Sequence, residues 1–526
     1  MAYNVDEIME PFWAEYSDET SGRDPLAIQN SSVVIYTKMI IGITNVTNRL
    51  RYNGFYCWIF EKIIHNISKP NSYTEQIRYL RRAELLLAYM MVDRFEGITG
   101  VSGSIYAARN ISKKISLISG ADWESKKEGY SLYWKFKAGV FGQYYSGVVR
   151  ELRLVNHPQP ELDVFIYTLT DKGRQLAFDY GANIPAASQN LFRNAVYSGE
   201  ILREELFQLT PFALHIIPQT SKENSFYASM LLAEDDRKIE PTFHRRNTIK
   251  LILEFLAQTK DNIDYLPTSF LKHNYKEQVK FTLLPLNTAS AWYLYEVNEI
   301  IHVVLEHFHA CFLYQIDSSP TEIEATIQNL IESVEKSLAT EGINTSNTTL
   351  MNLFSSHLEN SVDLYEHFDS MGDAFKQGEY GDCLKSAIHT ALRLFADCKP
   401  HIEQLKDFAS LTENNFNRTG YAIELFEELI EPNWNLSISD YVKELFYYVI
   451  NRHTFSSYYK TRVGQNLVHN YMIEETKAWR LRETVPNRTS PRLQNAVQYL
   501  CDVNWVSKNG KSLTISNIGI ETLNRL

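Results

Sequence analysis

"VFIYTLTDKGRQLAFDYG", Val164 to Gly181, alternates apolar and polar residues, breaks at Thr170 and restarts with helical spacing. The end of the chain, "GKSLTISNIGIETLNRL", Gly510 to Leu526, runs through the same order of events. In each stretch a hydroxyl residue stands at the break and a glycine follows three places later, Thr170 with Gly173 and Ser516 with Gly519. A serine or threonine there caps the next helix by accepting from its unpaired amides, and the glycine lets the first turn lie close to the strand just left. Upstream, "GQYYSGVVRELRLV" predicts a helix with Tyr145, Val148, Val149, Leu152 and Val155 on one face and Gln143, Tyr144, Arg150 and Arg153 outward. "SPRLQNAVQYLCDVNWV" predicts its counterpart, with Ser490 as cap, Pro491 at the first helical position and Leu493, Val497 and Leu500 buried. The extended stretches "FIYTL" and "WVSKNGKSLTI" supply a two-stranded ribbon in each copy.

The remainder carries helical periodicity. "SYTEQIRYLRRAELLLAYMMVDRF" opens with Ser72 and Glu75 spaced as a capping box. "SPTEIEATIQNLIESVEKSLAT" repeats the device with Ser319 and Glu322, sets Pro320 at the first helical position, and lines up Ile323, Ile327, Leu330, Val334 and Leu338. Turn-rich breaks at 97–104, 156–163, 181–188 and 341–350 divide the chain. The expected architecture is mainly α and multidomain: a helical region 1–80, a mixed module 81–182, a helical middle 183–316, an acidic helical region 317–440 and a basic C-terminal module 441–526.

The chain has 526 residues, enough for several cores, and five scattered cysteines that never form a CxxC pair. They read as buried thiols of a reducing compartment rather than a disulfide framework or zinc cage. The start, "MAYNVDEIMEPFWAEY", lacks a secretion signal, and "LLLAYMMV", 85–92, is too short to span a bilayer, so the expectation is a cytoplasmic protein without membrane contact. The net charge of −11 argues against general polyanion binding, yet 317–440 carries a net −15 and 441–526 a net +6. Such asymmetry steers a nucleic acid to one end or joins the two segments to each other.

The order helix, ribbon, hydroxyl, glycine, helix resembles the winged-helix module, whose "LTxxGxxL" ending is matched by Leu169, Thr170, Gly173 and Leu176. The second copy departs from it, with Ile515, Ser516, Gly519 and then Leu523 one place late. The resemblance implies a helix presented to a DNA major groove and a wing touching phosphate. Its candidate DNA contacts are Arg150, Arg153, Lys172 and Arg174 in the first copy, and Arg480, Arg482, Arg488, Arg492, Lys508 and Lys511 around the second. Contacts of this type are salt-sensitive and largely blind to base sequence. Two such modules in one chain are similar in plan to kleisin-type subunits of bacterial chromosome-organising and phage or plasmid defence complexes, which implies protein partner subunits and double-stranded DNA.

Other stretches invite chemistry and fail on spacing. "NGKSLT", Asn509 to Thr514, ends like a P-loop, but Trp505 occupies the place of the first glycine and a strand follows where a helix is required. "HVVLEHFHAC" sets His302, Glu306 and His309 at helical spacing without matching either the HExxH or the HxxEH pattern. Core histidines are the expected reading, with a metal-dependent hydrolase or nuclease as rival. Gly97, Gly100 and Gly103 precede the helix candidate "SIYAARNISKKISL" but follow a helix, not the strand a dinucleotide fold needs. "TNRLRYNGFYCWIF" reads as an aromatic core helix with Arg49 and Arg51 solvated, and Arg245 and Arg246 in "HRRNTIKLILEFLA" are expected to pair with acids or phosphate. No catalytic set, metal ligand set or cofactor is assigned. The expected role is a non-enzymatic DNA-associating or assembly subunit, with a pure protein scaffold as the alternative.

Overall fold

The computed structural model describes residues 24–65, 73–156, 167–234, 242–259, 266–285, 287–359, 362–406, 422–460, 469–510 and 512–526. These are mainly helical, with short strands β1 (Lys114–Ser116), β2 (Glu200–Leu202), β3 (Thr321–Glu322), β4 (Tyr471–Glu474), β5 (Lys477–Arg480), β6 (Val506–Asn509) and β7 (Ser512–Ile515). They form three antiparallel sheets, β1-β2, β3-β5-β4 and β6-β7. No helix among the described residues is long and apolar enough to cross a membrane.

The chain divides into two compact units, one of 1–36 with 271–489, the other of 37–270 with 490–526. The cuts fall elsewhere than at the composition boundaries near 80, 182, 316 and 440. Both hydroxyl-glycine endings belong to the second unit.

The first unit is built on the helix Thr288–Gln315, of which every residue from Thr288 to Leu313 is buried. A helix buried on all sides belongs at the centre of a bundle. Around it stand Ile323–Ala339, Leu364–Gln377, Tyr380–Cys398, Ala422–Leu429 and Ile438–Lys460, and Leu350–Glu359 packs outside on Tyr380–Cys398. Ile327, Leu330, Val334 and Leu338 form the buried stripe the sequence predicts. The start of that helix differs from expectation. Thr321 and Glu322 pair with Ala478 and Lys477, and the Ile323 amide donates to the Thr476 carbonyl at 2.9 Å. A strand partner thus satisfies the backbone that Ser319 and Pro320 were expected to organise, and the helix begins at Ile323.

The second unit centres on Tyr52–Ile59, all eight residues of which are buried. Arg49 and Arg51 flank it but are not solvated. Arg51 sits on Glu223 with contacts of 2.8 and 3.1 Å, and Arg49 on Asp502 at 3.0 Å. Arg245 is also buried and donates to the carbonyls of Ile41, Met230 and Leu231. In Tyr73–Arg94 the buried Glu84 accepts from the Tyr56 and Tyr133 hydroxyls and from the amides of Val140 and Phe141. Gly97, Gly100 and Gly103 all have positive φ and link that helix to Ser104–Asn110, which ends seven residues before the predicted stretch does because 114–116 pairs as β1. Ser72 lies outside the described residues.

Candidate nucleic-acid interface

Each ending is prepared by the helix before it. Ser146–Glu151 follows a π-helical turn at Phe141–Tyr145 and buries Val148 and Val149; Leu493–Asp502 buries Leu493, Val497 and Leu500. The second helix does not start as predicted. Its N-cap is Arg492, at φ +61° without a side-chain cap, while the Ser490 hydroxyl donates to Asn45 at 3.3 Å instead of capping.

Both helices stop in one way. Leu154 N donates to Val149 O at 2.8 Å and Arg153 N to Arg150 O at 2.8 Å; Trp505 N donates to Leu500 O at 2.9 Å and Asn504 N to Cys501 O at 3.0 Å. This pair of bonds is the Schellman arrangement, which needs a left-handed residue between helix and strand. Arg153 at φ +57° and Asn504 at φ +61° fill that place. The ribbons follow: Val155 bridges Leu169, and Val506 on β6 pairs with Ile515 on β7. Positions 157–166, including the first two residues of the predicted stretch 165–169, lie outside the described residues. The second ribbon closes with Asn509 paired to Ser512, and Gly510 next to Asn509 has φ +63°.

Past the ribbon the match continues. Thr170 N donates to Leu154 O at 3.1 Å and Ser516 N to Trp505 O at 2.9 Å. The Thr170 hydroxyl donates to Arg153 O at 2.7 Å and the Ser516 hydroxyl to Asn504 O at 2.6 Å, while each oxygen accepts from its glycine amide, Gly173 at 3.1 Å and Gly519 at 3.0 Å. The hydroxyl therefore ties the left-handed turn to the closing helix as well as capping it. A Cβ on Gly173 would stand 2.0 Å from Leu154 O, and one on Gly519 2.2 Å from Trp505 O. The expected helix-to-strand closeness is thus found at the first strand of each ribbon. The left-handed pair Arg153 and Asn504 was the part of the repeat that sequence reasoning missed; an Asn directly after a helical stripe is its visible signal.

The candidate cations fall into two groups. In the second unit, Arg150 is half-buried with Nε on Ser146 O, Arg153 is exposed, Lys172 is half-buried, and Arg174 reaches Leu169 O and Asp171. Arg492 donates to Ile43 O at 2.9 Å, and Lys508 projects from β6. Lys511 lies outside the described residues. Arg480, Arg482 and Arg488 belong to the first unit and not to the second ending. There Arg480 meets Glu483 at 3.4 Å and lies over Tyr314, Arg482 donates to Asn470 at 3.2 Å, and Arg488 pairs with Glu296 beneath Phe368. Burial alone would lower the Arg488 pKa, but Glu296, Tyr295 and Glu299 raise it above its ordinary value, so its charge serves an internal network.

The outward face of Leu493–Asp502 borders a cavity of about 720 Å³ shared with Asn45, Asn48, Arg49 and Lys508. Gln494 and Gln498 line it one helical turn apart, beside Asn495. Asn495 donates to Asn48 at 2.7 Å, Gln498 to Asp502 at 3.0 Å, and Asp502 also accepts the Leu50 amide at 2.9 Å. Burial raises the Asp502 pKa, and Arg49 opposes that shift. Amide side chains flanked by cations suit base edges and phosphates.

The histidines of the long first-unit helix are already engaged. His302 Nε2 lies 2.9 Å from Glu306, which also accepts the Asn487 amide, and His309 meets Asn470 at 3.0 Å among the rings of His453 and Tyr471. Burial lowers the His309 pKa well below its usual value. Among the described residues, the histidines that converge are His357, His367 and His389, which sequence reasoning passed over. No protein-family model, curated protein or solved structure matches this chain.

Proposed function

We propose that the chain is a non-enzymatic, DNA-associating subunit of a bacterial multi-protein complex, with both hydroxyl-glycine endings acting as winged-helix-like modules. The observation that supports this reading is the agreement of the two endings bond for bond at the Schellman turn, the first pair of the ribbon and the capped helix. A helix directly before a ribbon, with amide side chains outward and lysine on the ribbon, has the layout of a groove-reading element. A setting in phage or plasmid defence or chromosome organisation belongs to the same proposal, resting on the plan of two modules in one chain.

The test is fluorescence anisotropy of the full-length chain on short duplexes of unrelated sequence at two salt concentrations. Binding is expected to weaken by tenfold or more between about 50 and 200 mM salt, with little dependence on base sequence. Lys508→Glu with Arg153→Glu should weaken it further and flatten the salt dependence. Absence of binding at low salt removes the DNA proposal and leaves the scaffold reading, which the exposed Ile518 and Ile520 on the closing helix favour as an interface for a protein partner.

A further inference from the structure

Three consecutive helices of the acidic region each bring one histidine to a single point in the first unit. His357 stands near the end of Leu350–Glu359, His367 in the first turn of Leu364–Gln377, and His389 midway along Tyr380–Cys398. One ring nitrogen from each lies within 4.8 Å of the other two. His357 Nε2 and His389 Nδ1 are 3.0 Å apart, and the rings of His367 and His389 stack at 5.0 Å between centroids. The other nitrogen of His389, Nε2, lies 3.2 Å from Glu341, whose second oxygen meets Lys385 at 3.2 Å. Arg393 donates to the His357 carbonyl at 2.9 Å and pairs with Asp397, holding the end of the short helix against the long one.

We propose that His357, His367 and His389 form a three-imidazole zinc site whose fourth position opens onto the adjoining acidic cavity. Packed only as core residues, the three rings leave a deficit. One proton can bridge His357 and His389, but His367 Nε2 is buried without a hydrogen-bond partner. Such a buried polar atom costs free energy that a cation on its lone pair would remove.

A tetrahedral zinc ion with bonds of about 2.0–2.1 Å places its ligand nitrogens about 3.3 Å apart, so the 3.0 Å pair has to open slightly and the stacked His367 ring has to turn and close on it from a separation of up to 4.8 Å. With His389 Nδ1 toward the ion, its Nε2 lies 3.2 Å from Glu341 without a hydrogen bond, and a turn of the ring would make the carboxylate–histidine arrangement that fixes ring orientation in metal sites. The cavity beyond, about 420 Å³, is lined by Glu341, Asp373, Glu379 and Asp382 with His367 and His389, and by Lys385, which pairs with Glu341 and Asp382; the lining stays acidic on balance, which favours entry of a cation. Three imidazoles without thiolate suit zinc among the borderline divalent metals. Cys383, on the same helix as His389, lies against Cys311 at 3.8 Å.

Untagged full-length chain, stripped with a chelator and titrated with zinc chloride, is expected to take up one equivalent. Cobalt(II) in place of zinc should give the intense visible bands of a tetrahedral nitrogen-rich site. His367→Ala should weaken zinc binding by about tenfold or more while helix content, by circular dichroism, stays unchanged. If that variant does not fold, the wild-type cobalt spectrum decides. Uptake below about a tenth of an equivalent, weak octahedral cobalt bands, or unchanged zinc affinity in a folded His367→Ala chain would each overturn the site.

Discussion

Gly173 and Gly519 owe their identity to a carbonyl oxygen. At 2.0 and 2.2 Å from Leu154 O and Trp505 O, an added methyl would overlap backbone, which cannot rotate away as a side chain can. Gly173→Ala and Gly519→Ala should each cost about 1–3 kcal/mol in urea unfolding, the range of forced overpacking. Gly147→Ala, where nothing lies within 4 Å, serves as control and should be neutral or slightly stabilising. A loss below about 0.5 kcal/mol at Gly173 would show that the closing helix can move away from the ribbon. The positions of these glycines were legible from a capped helix leaving a strand, but the carbonyls that exclude a side chain there, Leu154 O and Trp505 O, come from the far side of each ribbon and were not. Arg49 and Arg51 were not: nothing near "TNRLRY" indicates that Asp502 and Glu223, far along the chain, remove both from water.

The same contrast holds for whole elements. Thr170 and Ser516 bond within their own turn, so sequence spacing located both caps. Helices whose first turn is bonded from elsewhere defeated that reasoning. Ile323–Ala339 begins where β5 takes the preceding backbone, and Leu493–Asp502 begins at a left-handed arginine whose guanidinium reaches Ile43 O. The histidine site escaped for a related reason. Its members sit ten and then twenty-two positions apart on separate helices, whereas the helix carrying His302, Glu306 and His309 concentrates its histidines and gives them separate partners. At this scale the two hydroxyls are testable together. Thr170→Ala and Ser516→Ala should each lose about 1–2 kcal/mol, at the upper end for a cap because a bond to the left-handed residue is lost as well. Thr170→Ser and Ser516→Thr should restore most of it in the same thermal melts. Equal stability of the alanine and hydroxyl forms would mean the carbonyls of Arg153 and Asn504 find water at no cost.

For the molecule as a whole, the second unit depends on residues 490–526 staying with 37–270. Arg49 is the strongest polar tie between these segments. It joins Asp502 at 3.0 Å and Thr99 O at 3.2 Å, while Asp502 accepts the Leu50 amide and Asn495 reaches Asn48 and Thr47. Arg49→Ala would leave Asp502 buried without its counter-ion. Removing one partner of a buried pair costs about 3–5 kcal/mol, whereas replacing both by apolar residues of similar size is far milder. Arg49→Ala should therefore shift the unfolding midpoint strongly and speed amide exchange across 490–526, and Arg49→Met with Asp502→Leu should recover most of the loss. A single variant within about 1 kcal/mol of the parent would mean the ion pair is bridged by water and that Leu493, Val497 and Leu500 hold the segment by apolar contact alone. The same dependence predicts that an isolated 490–526 peptide, deprived of Asn48, Arg49 and Thr47, has the circular dichroism of an unfolded chain. DNA binding must consequently be measured on the full-length protein, where the second ribbon and its helix have the surroundings that shape them.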